Sequence, residues 1–183
     1  MLALPGIELV SPDDVGVEGE PVEDAATFQA NAEIKVRYYA GRTGLPTLAD
    51  DSGLEVDALK GGPGVTTKRY AGAAATDDDN NRKLLRALEG LPPELRGARY
   101  VCVLAFLASE DADIVLTTGT FEGRITDVAR GEGGFGYDPI FEPLSEAPGG
   151  RTVAQLSAAE KNARSHRGQA AALMATRLRE RGW

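Results

Sequence analysis

The sequence predicts one domain of the α/β class that spans all 183 residues. Apolar residues recur at helical spacing near the start of the chain and again at its end. The middle of the chain carries runs rich in β-branched and aromatic residues, which are typical of strands. A chain of this length can bury one substantial core. We therefore expect residues 1–183 to form a single mixed domain.

Three helices are predicted from apolar spacing and from signals at their ends. The first covers residues 27–42, where apolar side chains recur every fourth position. The second begins after Thr76, a suitable N-cap before three acids, and ends at Leu91-Pro92-Pro93. The last begins at Ser157, which forms a capping box with Glu160. Gly168 is expected to interrupt this last helical stretch.

Short strands are predicted between the helices. Two of them, residues 113–120 and 121–128, are expected to form a pair, and several other pairs are expected to be antiparallel. The remaining predicted strands are residues 45–49, 53–59, 98–107 and 139–141.

Composition excludes some classes of partner. The net charge of −8 argues against a general nucleic-acid binder, which normally has a basic surface. The chain has no apolar stretch of about 18 residues, so we expect no transmembrane helix and no membrane partner. Cys102 is the only cysteine and lies in an apolar run, which predicts a buried, unreactive thiol. This cysteine usage favours a cytoplasmic location.

Three separated polar segments carry residues suited to one ligand. The first contains Asp50-Asp51-Ser52, the second is the aromatic glycine loop 133–141, and the third is residues 161–167 with the only histidine. Acids can hold Mg²⁺, aromatic rings can stack on a base, and cations can hold phosphates. Together the segments predict a site for a metal-bound nucleoside triphosphate.

Each segment also has a simpler interpretation. Acids after a strand often make turns or caps, and adjacent residues of an extended chain point to opposite sides, so only one of Asp50 and Asp51 should face a ligand. Phe135 is either a stacking face or a packed core ring. If its segment is extended, Tyr137 lies on the same side as Phe135 and Asp138 on the other.

The third segment raises a question of helix geometry. On one continuous helix, Lys161 and His166 would lie about 140° apart. Either the helix breaks near Ser165, or the two side chains contact different parts of the ligand. The simpler interpretation of His166 is a structural histidine with its hydrogen bonds satisfied.

Together these segments resemble the inosine triphosphate pyrophosphatase family. The resemblance covers residues 27–168, with further matches at Thr27-Phe28, Asn31-Ala32, Lys35, Gly62-Pro63-Gly64 and Arg69-Tyr70. It implies hydrolysis of purine nucleoside triphosphates with non-standard bases (ITP, dITP and XTP) to the monophosphate and pyrophosphate. It also implies an elongated mixed β-sheet flanked by helices, two lobes with a central cleft, and a homodimer.

The resemblance also assigns roles to residues. Asp51 is expected to be catalytic and to hold Mg²⁺ together with Glu23, while Asp50 would brace the backbone or a neighbouring side chain. The expected substrate-binding residues are Ser52, Lys35, Phe135, Gly136, Tyr137, Asp138, Lys161, His166 and Arg167.

The start of the chain departs from the family pattern. Family members begin with a strand and a Thr/Ser-x-Asn-x-x-Lys loop that binds the triphosphate, and Met1-Leu2-Ala3-Leu4-Pro5-Gly6 has no such segment. The domain is therefore expected to be truncated at its N-terminus. The alternative function is a nucleotide-binding protein with little or no turnover.

Overall fold

The computed structural model describes residues 7–183, which combine helices and strands and so confirm the α/β class. Short 3₁₀ turns connect many of these elements. The helices are α1 (Phe28–Thr43), α2 (Asp77–Ala87), α3 (Ala158–Arg164) and α4 (His166–Arg179), and the strands are β1 (Thr47–Val56), β2 (Gly97–Leu107), β3 (Val115–Ile125) and β4 (Phe141–Pro143).

The four strands form one sheet in the order β1-β2-β3-β4, so each strand lies beside its neighbours in the chain. β3 and β4 pair antiparallel, with Gly123 opposite Pro143 and Ile125 opposite Phe141. Along β3 the odd-numbered residues are buried, which gives the strand one face toward the core.

Local capping explains why the first two helices begin where the sequence predicts. The Thr27 hydroxyl accepts a hydrogen bond from the Ala30 N–H at 3.2 Å, directly before α1. The predicted cap of α2 is a complete capping box, in which Thr76 and Asp79 bind each other's backbone N–H groups.

Three strand predictions need correction. The segments predicted as separate strands around Asp50-Asp51-Ser52 are one strand, β1, because these polar residues remain extended. The pair predicted for residues 113–128 is wrong, because β3 runs through residue 120 without a turn. The predicted strand at residues 139–141 is displaced: residues Asp138–Ile140 form a 3₁₀ turn, and β4 begins only at Phe141.

The chain divides into two compact units. The first unit contains the described residues up to Ser52, with Cys102–Gly119 and Arg167–Trp183; the second contains Gly53–Val101 and Thr120–His166. Each has its own buried apolar cluster. The cluster of the first unit includes Cys102, Phe106 and Met174, and that of the second includes Leu54, Tyr137 and Phe141. The single domain and the central cleft stay predictions.

Met1 to Gly6 lie outside the described residues, so the predicted absence of a first strand and phosphate loop is not addressed by the structure. Among the residues that are described, no helix has the length and apolar character needed to cross a membrane.

We expect Gly123→Ala to destabilise the fold by about 1–3 kcal/mol, as overpacking does in a filled core. A Cβ at Gly123 would lie 2.5 Å from the Glu142 carbonyl oxygen and 2.5 Å from the Phe141 ring. Urea unfolding measures the change, with Thr120→Ala on the exposed face of β3 as the control. An equally stable Gly123→Ala variant would contradict the close contact between β3 and β4.

Candidate active site

In the first unit, one ammonium group bridges two carboxylates. The Nζ of Lys35 lies 2.8 Å from Oε2 of Glu23 and 3.0 Å from Oδ1 of Asp51. Lys35 comes from α1, Asp51 from β1 and Glu23 from the segment before α1. The structure thus brings together three residues that the sequence predicted for the metal and phosphate site.

Asn31 holds the same group together, although no role in the site was predicted for it. Its Nδ2 donates to Oδ2 of Asp51 at 3.1 Å, and its Oδ1 accepts from the backbone N–H of Ala25 at 3.0 Å. The side chain is only 2% exposed. Asn31 and Lys35 are four residues apart on α1, so they share a face. The sequence did contain a signal for this role: Asn31 is a polar amide side chain one turn into a predicted helix, next to its apolar face.

The electrostatics of this group keep Lys35 charged. Burial disfavours the ammonium form, but hydrogen bonds and charge attraction from Glu23 and Asp51 outweigh it and raise the pKa of Lys35. The two carboxylates therefore already converge on a cation, which is the arrangement that a bound metal ion requires.

Glu23 and Asp51 are a suitable oxygen donor pair for Mg²⁺. This ion is usually held by one or two carboxylates together with substrate phosphates and water. Across residues 7–183, no group of three or more histidine, cysteine, aspartate or glutamate side chains is placed to hold a metal ion. The pair therefore fits a metal that is completed by the substrate better than one held by protein alone.

Asp50 binds different partners from Asp51, as expected because successive side chains of a strand point to opposite faces. Its Oδ2 accepts from the Ser52 hydroxyl at 2.8 Å and from Nε of Arg167 at 3.1 Å. The expectation that Asp50 braces neighbouring side chains is confirmed. The Ser52 hydroxyl is committed to this carboxylate, whereas the Arg167 side chain is half exposed.

Cys102 lies beside Asp50 as a buried thiol. The residue is fully buried, and burial raises the pKa of its thiol to about 11. The prediction that Cys102 is buried is confirmed, and its low reactivity stays a prediction.

In the second unit, Phe135 is an exposed aromatic ring with a cation against it. The residue is 62% exposed, and Nζ of Lys161 lies 4.0 Å from the ring centroid. Lys161 also forms an ion pair with Asp138, whose Oδ2 accepts the Phe135 N–H at 2.9 Å. The core interpretation of Phe135 is wrong, and its ring is accessible for stacking.

Tyr137 does not share a face with Phe135, contrary to the prediction for an extended segment. The loop turns instead, with positive φ angles at Gly134 (+76°) and Gly136 (+62°), a conformation that glycine adopts readily. The Tyr137 ring is 2% exposed, and its hydroxyl donates to the Thr67 carbonyl oxygen at 2.9 Å. Burial raises the pKa of Tyr137. Its predicted contact with substrate therefore has little side-chain surface available.

Asp138 and His166 are buried, and both contact Tyr100. The Tyr100 hydroxyl donates to Oδ1 of Asp138 at 3.4 Å, and its ring stacks on the His166 imidazole with centroids 5.1 Å apart. Burial first, then the nearby Asp138 carboxylate, raises the pKa of Tyr100 well above its usual value, so the hydroxyl remains a donor. Asp138 thus acts mainly on its protein neighbours, and above all on Lys161.

The helical stretch that carries the third polar segment breaks at Ser165. This residue is extended (φ −66°, ψ 147°) and separates α3 from α4. Of the two alternatives left open, the structure shows the break near Ser165. The predicted interruption at Gly168 is wrong, because Gly168 lies inside α4. The break frees Lys161 and His166 from the 140° separation that a continuous helix would impose.

A sequence model of the Ham1 family matches residues 1–177, so this chain belongs to the Ham1 family. The chain is 49% identical to the dITP/XTP pyrophosphatase of Thioalkalivibrio sulfidiphilus, over 99% of this chain and 91% of that protein. It is 47% identical to the dITP/XTP pyrophosphatase of Shigella flexneri, over 95% of this chain and 87% of that protein. These relatives confirm the resemblance that the polar segments indicated.

Solved structures of Ham1 proteins are also similar to this chain. A Ham1 protein from Coxiella burnetii superimposes with a TM-score of 0.82 and 47% sequence identity, covering 88% of this chain and 81% of that one. The Ham1 protein of Staphylococcus aureus gives a TM-score of 0.83 and 38% identity, covering 90% and 82%. The α/β fold is therefore that of the Ham1 family.

Proposed function

We propose that this chain hydrolyses ITP, dITP and XTP to the monophosphate and pyrophosphate and so removes them from the nucleotide pool. The observation that carries the proposal is the exposed Phe135 ring with Lys161 against it. The ring can stack on a planar base, and the lysine can donate to an acceptor atom at the edge of that base. The dITP/XTP pyrophosphatases that match nearly the whole chain support the same reaction.

The carboxylate group of the first unit supplies the phosphate chemistry in this proposal. Glu23 and Asp51 would hold Mg²⁺, and Lys35 and Arg167 would contribute positive charge to the phosphates. Bound Mg²⁺ would neutralise charge that develops on the phosphate oxygens. Asp51 accepts a proton from the water that attacks the α-phosphorus. The bond from this phosphorus to the bridging oxygen breaks, and pyrophosphate leaves.

The second unit selects the base. Phe135 stacks on the purine, and Gly136 presents backbone without a side chain beside it. Lys161 and His166 offer donors to a 6-oxo group. Because those donors would lose their acceptor opposite the 6-amino group of adenine, the site should reject ATP.

The reaction is tested by measuring pyrophosphate release from ITP, XTP and ATP, with Mg²⁺ or with EDTA. We expect rapid release from ITP and XTP with Mg²⁺, and little from ATP or after chelation. Asp51→Asn should lower turnover by at least about 10²-fold, the scale of losing a general base. Asp111→Asn, an exposed acid in the same unit, is the matched control. Full turnover by a folded Asp51→Asn variant would exclude the role given to Asp51.

Phe135→Ala should weaken IMP binding by about 1–3 kcal/mol, because base–aromatic stacking is lost. Since the ring is exposed, the free energy of unfolding should change by less than about 0.5 kcal/mol. Leu144→Ala removes another exposed apolar side chain of the second unit and should leave IMP binding unchanged. Calorimetric titration and urea unfolding measure the two quantities. Loss of stability with unchanged IMP affinity would contradict the stacking role.

We also propose that the chain forms a homodimer. β1 ends the sheet in the described residues, and an edge strand can pair with another chain. Exposed apolar side chains, including Leu9, Val10 and Leu45, add surface that a partner could cover. Sedimentation equilibrium should give about twice the 19.3 kDa mass of one chain. A mass of one chain at micromolar concentration would contradict the dimer.

A cytoplasmic location is proposed because the substrates are nucleoside triphosphates and the one cysteine is a buried thiol. Recovery of the protein outside the cytoplasmic fraction of lysed cells would overturn this assignment.

A further inference from the structure

Two side chains of α2 bind the backbone of one residue, Gly136, in the aromatic glycine loop. Oδ2 of Asp77 accepts the Gly136 N–H at 2.7 Å, and Nδ2 of Asn81 donates to the Gly136 carbonyl oxygen at 3.0 Å. Asp77 and Asn81 are four residues apart, so they lie on one face of the helix. The backbone directly after Phe135 is thus bound by α2 through both a donor and an acceptor.

The first turn of α2 does not need Asp77 for its own stability. Thr76 and Asp79 already form a complete capping box, and Asp78 forms an ion pair with Arg82. Of the three acids in this turn, Asp77 is the one that reaches the loop. A carboxylate that accepts an N–H makes a charge-assisted hydrogen bond, which is stronger than a neutral one.

Asn81 is committed to the same task. It is only 7% exposed, and a buried NH₂ group is costly unless it donates a hydrogen bond. The bond that the structure gives its Nδ2 goes to Gly136. Neither residue belongs to the three polar segments that the sequence analysis selected.

The rest of the loop is tethered too, although the Phe135 ring is exposed. The Phe135 N–H donates to Asp138, and the Gly133 N–H donates to the Ala154 carbonyl oxygen at 3.2 Å. A fixed backbone under an exposed ring reduces the entropy lost when a ligand binds, which is how preorganisation raises affinity.

We propose that Asp77 and Asn81 are positioning residues that set the affinity of the purine subsite by holding the loop beneath Phe135. The inference rests on the proposed function, because it assumes that Phe135 stacks on a purine. Asp77 and Asn81 do not touch the substrate. Removing them should change binding of the base more than the chemical step.

The test uses Asp77→Ala and Asn81→Ala, with Asp78→Ala as the matched control. Asp78 is in the same turn and carries the same charge, but its ion pair is with the exposed Arg82. Amide hydrogen exchange of the loop, the KM and kcat for ITP, and the Kd for IMP are measured on each protein. We expect faster exchange at Gly136 in the two loop variants, and about a five- to tenfold rise in KM and Kd, the scale of one lost hydrogen bond. In both loop variants kcat should stay within about twofold of the value for the unmutated protein. Asp78→Ala should match the unmutated protein in exchange, KM, kcat and Kd.

The conservative variant Asp77→Asn keeps an acceptor oxygen for the Gly136 N–H and should recover most of the affinity. This variant also provides a test if Asp77→Ala folds poorly. Unchanged exchange at Gly136, or unchanged KM and Kd in the loop variants, would overturn the inference. An equal loss in Asp78→Ala would also overturn it. If the unchanged protein neither hydrolyses ITP nor binds IMP, the proposed function fails instead, and the exchange data still report whether α2 holds the loop.

Discussion

The pairing of Lys35 with two carboxylates organises the polar group of the first unit. Charges that are partly removed from water must be paired, and one ammonium satisfies both Glu23 and Asp51. Asn31 then fixes Asp51 and the backbone near Glu23 from the same helix face. The same residues that stabilise each other therefore leave oxygen atoms directed at a cation, which is what a metal-dependent phosphate site needs.

In the second unit an aromatic ring is exposed to solvent, while the backbone that carries it is held by hydrogen bonds. Phe135 keeps most of its surface in water, while Asp138 accepts its N–H. Asp77 and Asn81 bind the N–H and the carbonyl oxygen of the next residue, Gly136. Glycine makes this possible, because a Cβ at Gly134 would lie 2.0 Å from an oxygen of Asp138. The loop is thus shaped by close packing on one side and open to solvent on the other.

The sequence alone determined the features that depend on neighbours in the chain. The starts of α1, α2 and α3 follow from capping side chains that bind backbone only three residues away. The break at Ser165, the buried Cys102 and the family itself were also available from local pattern. The chemical types of the site residues could be selected in the same way, since a metal, a phosphate and a base each require particular side chains.

Only the tertiary structure decided which of those side chains meet and which are buried. Phe135 and Tyr137 are two residues apart and both aromatic, yet one is exposed and the other is core, because the loop between them turns at Gly136. Asn31 lies 20 residues from Asp51, and Asp77 lies 59 residues from Gly136. Contacts over such separations depend on how the chain packs, so no local spacing in the sequence records them.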